Sequence, residues 1–354
     1  MAEQNENNNL SQFFNLKNYL LYSGLFFLIS AAALFYIYQV YADEKSLEII
    51  FNFPLPIITS LIILLFFYYL FDALRLYFVL KTLKAEISFW EIYKLVFINI
   101  FVSNITPLAT GGGVAQAYFL QKNNVPLGTS SAAVLIRTLL SAIILFVNVP
   151  FIIFRNKNMV KFLSGHYLYL YLIIFIGLYI SVFYFLIFKN QLLMKLIYKI
   201  LSFLKDRHLL TKKRFKIIIR FTFQHLKLFA EDLAFFIQGK KIYVFLAIFF
   251  TIIFLLAEFS FSYLLLIGLG YQIPFVHIVS LQILVVFIMY FAPTPGAAGI
   301  AEGGYSLLFS RFVDRNDIFP LLFYWRFFSK YIGIFIGVLV FIYFVLRGDS
   351  TNEK

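Results

Sequence analysis

Two short segments interrupt long apolar stretches of the chain: TPLATGGG at residues 106–113 and TPGAAGIA at residues 294–301. They stand in the middle of the apolar stretches 88–120 and 275–310. Proline ends an entering helix, and glycine lets the chain turn sharply. We therefore expect each stretch to be a broken helix that folds back at its tip.

The composition around these tips is that of a membrane protein. Hydrophobic residues make up 62% of the 354 positions, charged residues make up 13%, and the mean hydropathy is +0.87. Soluble domains average about 45–50% apolar and about 25% charged residues. Spans of about 20 apolar residues cross a bilayer, and six uninterrupted runs qualify: 19–41, 55–80, 129–154, 166–188, 241–268 and 318–346. The sequence predicts an all-α polytopic membrane protein with eight apolar segments.

The domain organisation follows from the same runs. We expect a polar N-terminal tail at 1–18, a single transmembrane domain at 19–346 and a C-terminal tail at 347–354. Segment 189–241 carries 13 Lys and Arg against three acidic residues, so it holds +10 of the net +13. Lysines alternate there with Leu, Ile and Phe at helical spacing, which predicts an amphipathic cytoplasmic linker attracted to anionic lipid and no nucleic-acid partner. The alternative is a plain excess of positive charge on the inner side.

Loop charges predict the orientation. The loop 42–54 is acidic, whereas Lys81 and Lys84 follow the next span, so the N-terminus is predicted inside. The basic linker must also lie inside, and this requires the first broken stretch to enter and return on the cytoplasmic side. The second then enters and returns on the outer side. Six spans and two re-entrant hairpins result, with both termini cytoplasmic and the protein in the plasma or inner membrane.

The two broken stretches belong to an internal repeat. Their Thr-Pro pairs are 188 residues apart, since 294 minus 106 is 188. Asp72 and Glu258, in the preceding spans, are 186 apart, and Arg137 and Arg326, in the following spans, are 189 apart. Because the hairpins open on opposite sides, the repeat is predicted to be inverted, as in many transporters. Its halves are residues 55–154 and 241–346.

The tips predict a site for an anion at membrane depth. A helix that restarts near Gly113 or Ala301 presents free N–H groups and a positive dipole end. The predicted substrate-binding residues are Thr106, Pro107, Gly111, Gly112, Gly113, Gln116, Arg137, Thr294, Pro295, Gly296, Gly299, Glu302 and Arg326. Asp72, Arg75 and Glu258 are predicted structural charge partners. Two hypotheses stay open: the arginines contact a phosphate, or they only form ion pairs, Asp72 with Arg137 and Glu258 with Arg326.

Enzymatic motifs are weak. The four histidines are scattered without metal-ligand spacing, and no nucleophile motif or nucleotide loop is found. We therefore predict no catalytic residue, no metal and no cofactor.

The hairpin motifs resemble those of the lysylphosphatidylglycerol synthase transmembrane family, also called flippase-like membrane proteins. The matching segments are 106–118, 130–137 and 293–303, and the resemblance covers about residues 15–346. Many family members carry an acid where Gly113 stands and an arginine where Gln116 stands, so this chain departs from the family at two polar positions, and the resemblance does not identify the headgroup. The resemblance implies lipid translocation. The soluble aminoacyl-transferase domain of the bifunctional members is not expected after residue 346.

Three functions are compatible with the sequence. The first is a lipid translocase that handles an anionic phospholipid or another phosphate-bearing lipid, and it is not an enzyme. The second is an intramembrane transferase in lipid or lipid-linked sugar metabolism, with Glu302 and Asp72 as the candidate bases. The third is a small-solute transporter. A cavity that opens sideways between spans would favour the first.

Overall fold

The computed structural model describes residues 16–155, 190–207 and 210–349, together with a few isolated positions. Every regular element in these residues is helical. In chain order the helices are α1 (Leu16–Tyr41), α2 (Glu44–Phe51), α3 (Leu55–Thr82), α4 (Phe89–Ile105), α5 (Thr110–Lys122), α6 (Leu127–Arg155), α7 (Asn190–Asp206), α8 (Lys212–Gln238), α9 (Lys241–Gly268), α10 (Phe275–Met289), α11 (Ile300–Phe309), α12 (Arg315–Arg326) and α13 (Ile332–Asp349).

Five helical segments are long and apolar enough to cross a membrane. They are Ser23–Tyr41, Leu55–Thr82, Leu127–Ile153, Lys241–Gly268 and Arg315–Phe344. Each coincides with a predicted span. The sixth predicted span, 166–188, lies outside the described residues apart from isolated positions. The prediction of an all-helical protein with several membrane-spanning helices is confirmed.

The spans pack through aromatic rings and through glycines. Helices α3 and α9 pack against each other, with the Tyr68 ring stacked on Phe254 at a centroid distance of 4.8 Å. Helix α13 lies so close to α4 that a Cβ atom at Gly337 would overlap the Phe97 carbonyl oxygen. Small residues allow membrane helices to approach this closely. The last span is not a plain α-helix, because a π-helical turn at Phe327–Tyr331 joins α12 to α13.

Both broken stretches are interrupted where the prolines and glycines predict. Helix α4 is followed by a 3₁₀ turn at Pro107–Ala109, and α5 then packs back against α4. Helix α10 is followed by a 3₁₀ turn at Pro295–Ala297, and α11 packs back against α10. The restarts come slightly earlier than expected near Gly113 and Ala301, at Thr110 and Ile300.

The two turns have the same backbone conformation. Leu108 and Ala109 have φ of +54°, and Gly296 and Ala297 have φ of +56°. These pairs are again 188 residues apart (296 minus 108, and 297 minus 109). Three of the four residues carry a side chain in the left-handed region, which is costly and concentrates at functional sites. The turns also contact each other, which places both tips at one level of the helix bundle.

Candidate functional site

A cavity of about 510 Å³ lies where the two turns meet the middles of α3, α6 and α9. Its polar lining comes from four helices, both tips and the π-helical turn. These lining residues are Asp72, Arg75, Asn99, Ser103, Asn104, Thr110, Arg137, Thr138, Ser141, Glu258, Thr294, Ser329 and Lys330. The volume is in the usual range for small-molecule sites.

Asp72 holds two arginines on one wall of the cavity. Its Oδ1 accepts hydrogen bonds from Arg75 Nε at 2.6 Å and from Arg137 Nη1 at 3.0 Å. Arg75 also donates to Ser141 Oγ at 2.5 Å, and its guanidinium carbon lies 3.8 Å from the centroid of the Phe254 ring. Arg137 is buried, and its Nε has no hydrogen-bond partner. This wall therefore contains a fixed guanidinium with an unused donor.

A second ion pair lies on another wall. Lys330 Nζ, in the π-helical turn, donates to Glu258 Oε1 on α9 at 3.1 Å. The neighbouring Ser329 hydroxyl is buried without a hydrogen-bond partner. The cavity lining then holds three cations (the two arginines and Lys330) and two carboxylates, so its formal charge is +1. Such a site favours an anion.

The charged groups lie close to the middle of their spans. Asp72, Arg137 and Glu258 are each three to four residues from the midpoints of Leu55–Thr82, Leu127–Ile153 and Lys241–Gly268, which is about 5 Å along a helix axis. A charge at the bilayer centre costs about 2.5–3.5 kcal/mol even on insertion scales. Mutual pairing offsets part of that cost, and function is the common reason for retaining such charges.

The cavity opens beside α6. Among its lining residues, Leu108 and Thr110 on the first tip and Leu135 and Thr138 on α6 are exposed. The two α6 residues lie near the middle of an apolar span. In the described part of the chain, the mouth is therefore at mid-span height, between the first tip and α6.

The second half of the chain uses its arginine differently. Arg326 is fully buried, and its Nε donates to Glu302 Oε1 at 2.7 Å. The other oxygen of Glu302 accepts the N–H of Gly299 at 2.6 Å, at the start of α11. Neither Arg326 nor Glu302 lines the cavity. The hypothetical Glu258–Arg326 pair is wrong, since Glu258 pairs with Lys330, and the start of α11 already holds a carboxylate in place of a free anion site.

Residues 23–337 match the family described as the lysylphosphatidylglycerol synthase TM region. The chain belongs to this family. A UPF0104 membrane protein of Archaeoglobus fulgidus is 25% identical over 335 residues, which covers 92% of this chain and 98% of that protein. A UPF0104 membrane protein of Methanocaldococcus jannaschii is 28% identical over 279 residues, or 78% of each chain.

The family membership identifies this chain as a multi-pass membrane protein. The match covers the membrane region of lysylphosphatidylglycerol synthase, and the two relatives are described only as membrane proteins. The resemblance in the hairpin motifs is thereby confirmed at the level of the family.

The predicted substrate-binding residues of this chain form two groups, according to whether they line the cavity. Those that line the cavity are Gly113, Arg137, Thr294 and Gly296. Those that do not line it are Thr106, Pro107, Gly111, Gly112, Gln116, Pro295, Gly299, Glu302 and Arg326. The predicted charge partners Asp72, Arg75 and Glu258 all line it.

Most of the residues outside the cavity hold the tips together. Thr106 Oγ1 donates to the Val102 carbonyl and accepts the Gly111 N–H at 3.0 Å. A Cβ atom at Gly112 would overlap the Ser103 hydroxyl on α4. Gln116 is fully buried and donates to the Leu95 carbonyl at 3.3 Å. The first two glycines therefore allow α5 to pack on α4, which differs from the expected role of admitting a ligand to the backbone.

Several cavity residues were missed at the level of sequence. Lys330 follows Arg326 by four residues in an apolar span, a spacing that deserved the same attention as the arginines. Asn99 and Ser103 are also four apart in the apolar run before the first tip, and both line the cavity with Asn104. Polar residues at this spacing share one helix face. A polar face on a helix within an apolar run therefore predicts that this face lines a cavity.

Proposed function

We propose that this protein binds the phosphate group of an anionic lipid in the central cavity and moves the lipid between the two leaflets. The observation that carries the proposal is a cavity near the middle of the spans with a formal charge of +1, lined by an arginine with an unused N–H donor. The chain then acts as a flippase-like transporter and not as an enzyme.

The phosphate contact is assigned to Arg137. Asp72 binds Nη1 of its guanidinium group, and Nε is buried without a partner, so a small movement of the side chain would bring a free N–H donor to a ligand in the cavity. A guanidinium held by a carboxylate is fixed in orientation, and its planar fork matches phosphate oxygens. Lys330 approaches from another wall, and an incoming phosphate would compete with Glu258 for its ammonium group.

The position of the mouth supports a lipid over a small polar solute. The exposed lining residues are Leu108, Ala109 and Thr110 on the first tip, Leu135 and Thr138 at mid-span on α6, and Tyr290 at the end of α10. A headgroup entering there keeps its acyl chains among apolar side chains, while the phosphate reaches the arginine. A soluble solute would need an opening at the end of the bundle.

Transport is proposed to use an inverted repeat of six spans and two re-entrant hairpins, with both termini inside. Support comes from the matching left-handed turns and from the contact between the two tips. In such transporters one half rocks against the other around a site near the midplane. Cysteines placed at 84, 123 and 210 should label from the cytoplasm and those at 45 and 314 from outside. Outside labelling at 123 would remove the first re-entrant hairpin.

The transferase alternative gains no support from the carboxylates. Asp72 accepts hydrogen bonds from two arginines, and Glu302 is shared between Arg326 and the backbone of Gly299. A general base needs a carboxylate free to take a proton from its substrate. Both candidates are held in ion pairs with arginine.

Reconstitution tests the proposal directly. Purified protein in liposomes with fluorescent phosphatidylglycerol or fluorescent phosphatidylcholine should move the anionic lipid faster, as measured by the fraction that an external reductant bleaches with time. Equal rates for the two headgroups would contradict the anionic-lipid proposal. Rates no higher than in protein-free liposomes would contradict lipid transport itself.

A further inference from the structure

Helix α7 has an apolar face that no other helix in the described part of the chain covers, and at its end the Arg207 guanidinium carbon lies 5.3 Å from the centroid of the Phe203 ring. Leu192, Leu196, Ile200 and Phe203 follow one another at spacings of four, four and three residues, and each keeps at least half of its surface exposed. At 100° per residue they span an arc of about 80°. Four large apolar side chains on one arc form a continuous stripe, which we call the α7 stripe.

Basic residues flank this stripe. Lys195 and Lys199 are exposed and border it on one side. From 190 to 220 the sequence contains nine Lys and Arg and a single acid, Asp206, for a net charge of +8. An apolar stripe beside a strongly basic face is typical of helices that lie in the interface of a membrane.

The other side of α7 packs on α8. The rings of Tyr198 and Phe215 are 6.0 Å apart at an interplanar angle of 65°, and Lys205 Nζ lies 5.0 Å from the centroid of the same Phe215 ring. The two helices therefore form a hairpin, and the α7 stripe lies outside this contact.

The far end of α8 fixes the hairpin to the ends of the membrane spans. Leu233 and Phe236 are buried, and a Cβ atom at Gly239 would overlap Thr82, the last residue of α3. Helix α9 begins two residues later, at Lys241. The hairpin is therefore anchored where one span ends and another begins, which is the level of the boundary between hydrocarbon and water.

We propose that the α7 stripe rests on the anionic surface of the same membrane that the chain spans. The four apolar side chains enter the acyl boundary, and Lys195 and Lys199 contact lipid phosphates. Charge favours this occupant over a second copy of the chain, because two hairpins, each with a net charge of +7 over residues 190–238 (ten Lys and Arg against three acids), repel each other. Exposed apolar residues favour a bilayer over a nucleic acid. The proposal is independent of the central cavity.

The natural absence of cysteine allows a direct test in the full chain. Single variants Leu196→Cys, Phe203→Cys and the off-stripe control Gln191→Cys carry an environment-sensitive fluorophore in proteoliposomes containing spin-labelled lipid. Emission at 196 and 203 should shift to the blue and be quenched by the spin label, whereas emission at 191 should change much less. Equal behaviour at all three positions would overturn the proposal.

The role of charge is tested by lipid composition. Quenching at 196 should increase when phosphatidylglycerol replaces part of the phosphatidylcholine. Lys195→Gln/Lys199→Gln should abolish most of this increase, since each lysine near an anionic surface is worth about a fivefold factor in partitioning. Lys195→Arg/Lys199→Arg keeps the charge and should keep the increase. Protein cross-linking through position 196 without lipid quenching would instead assign the stripe to a second copy.

Discussion

The two halves of the molecule carry the same sequence signature and use it differently. In the first half, Arg137 lines the cavity and shares Asp72 with Arg75. In the second half, Arg326 is buried against Glu302 and does not line the cavity. The equivalence of the two arginines in the chain therefore does not extend to their surroundings, and among the described residues only the first half places arginines on the cavity lining.

The difference originates in the position of one acid. Glu302 lies in the first turn of α11 and caps it, so it neutralises the helix end and holds Arg326. The equivalent position in the first half, 302 minus 188, is Val114. With no carboxylate in the first tip, Arg137 pairs instead with an acid on a membrane span. The second half thus contains a closed charge network, and the first half contains one that borders the cavity.

The largest expected effect comes from the closed network. Arg326→Ala leaves Glu302 buried without its partner, which should destabilise the fold by about 3–5 kcal/mol. Thermal unfolding in detergent should show the loss, and Arg326→Ala/Glu302→Gln should recover most of it, because the amide oxygen still accepts the Gly299 N–H. A stable Arg326→Ala protein without transport would indicate that Arg326 contacts the lipid. The proposed difference between the two halves would then be wrong.

Arg137→Ala should instead act on function. One charge-assisted contact to phosphate is worth about 1.5–3 kcal/mol, so transport of the anionic lipid should fall about 10- to 100-fold. Stability should fall less than for Arg326→Ala, because Asp72 keeps Arg75. Lys at 137 should rescue poorly, since it lacks the planar fork. Recovery of transport in Asp72→Ala/Arg137→Ala would make the pair purely structural.

The tips provide the next comparison. Gly112→Val should cost stability by about 1–3 kcal/mol, because its side chain would overlap Ser103 on α4. Gly299→Val meets open space but forces a branched side chain to a φ of +85°, so strain of about 1–3 kcal/mol is expected there. Gly128→Ala, in open space on α6, is the control and should not lower stability, because alanine is favoured over glycine in a helix. Melting temperatures of the three variants measure the cost of overlap at 112 and of strain at 299 against this control.

The smallest expected effect is that of the second ion pair. Lys330→Gln lowers the formal charge of the lining from +1 to 0 and should slow anionic-lipid transport about fivefold, as expected for about 1 kcal/mol. Glu258→Gln/Lys330→Gln returns the charge to +1 and should recover part of the rate. If the double variant is as slow as the single one, Lys330 itself contacts the lipid, and net charge is not the cause.

The spans and the tips could be predicted from sequence because they depend on local rules. Apolar length sets a span, and Pro with Gly sets a break. The use of the arginines could not be predicted in this way, because it depends on how far each helix is rotated toward its neighbours. The π-helical turn changes that rotation within one span, and it separates Arg326 from Lys330 although they are four residues apart.

One part of the site was within reach of sequence reasoning. An acid three residues after a glycine at a helix start is the spacing of a capping interaction, and Gly299 with Glu302 has it. This spacing predicts that Glu302 accepts a backbone N–H at the start of α11 and does not line the cavity. Gly113 and Gln116 have the same spacing, which would predict that Gln116 caps the start of α5. The structure instead buries Gln116 against α4, where it donates to the Leu95 carbonyl.

The depth of Arg137 has an electrical consequence. A phosphate bound beside a residue near the midpoint of its span lies about halfway through the voltage drop across the membrane. A monoanionic lipid that reaches this point has therefore done roughly half of the electrical work of crossing, or about 1.2 kcal/mol at 100 mV. Its exchange between leaflets moves net charge, so a potential imposed by an ion gradient should bias the direction in which the lipid accumulates.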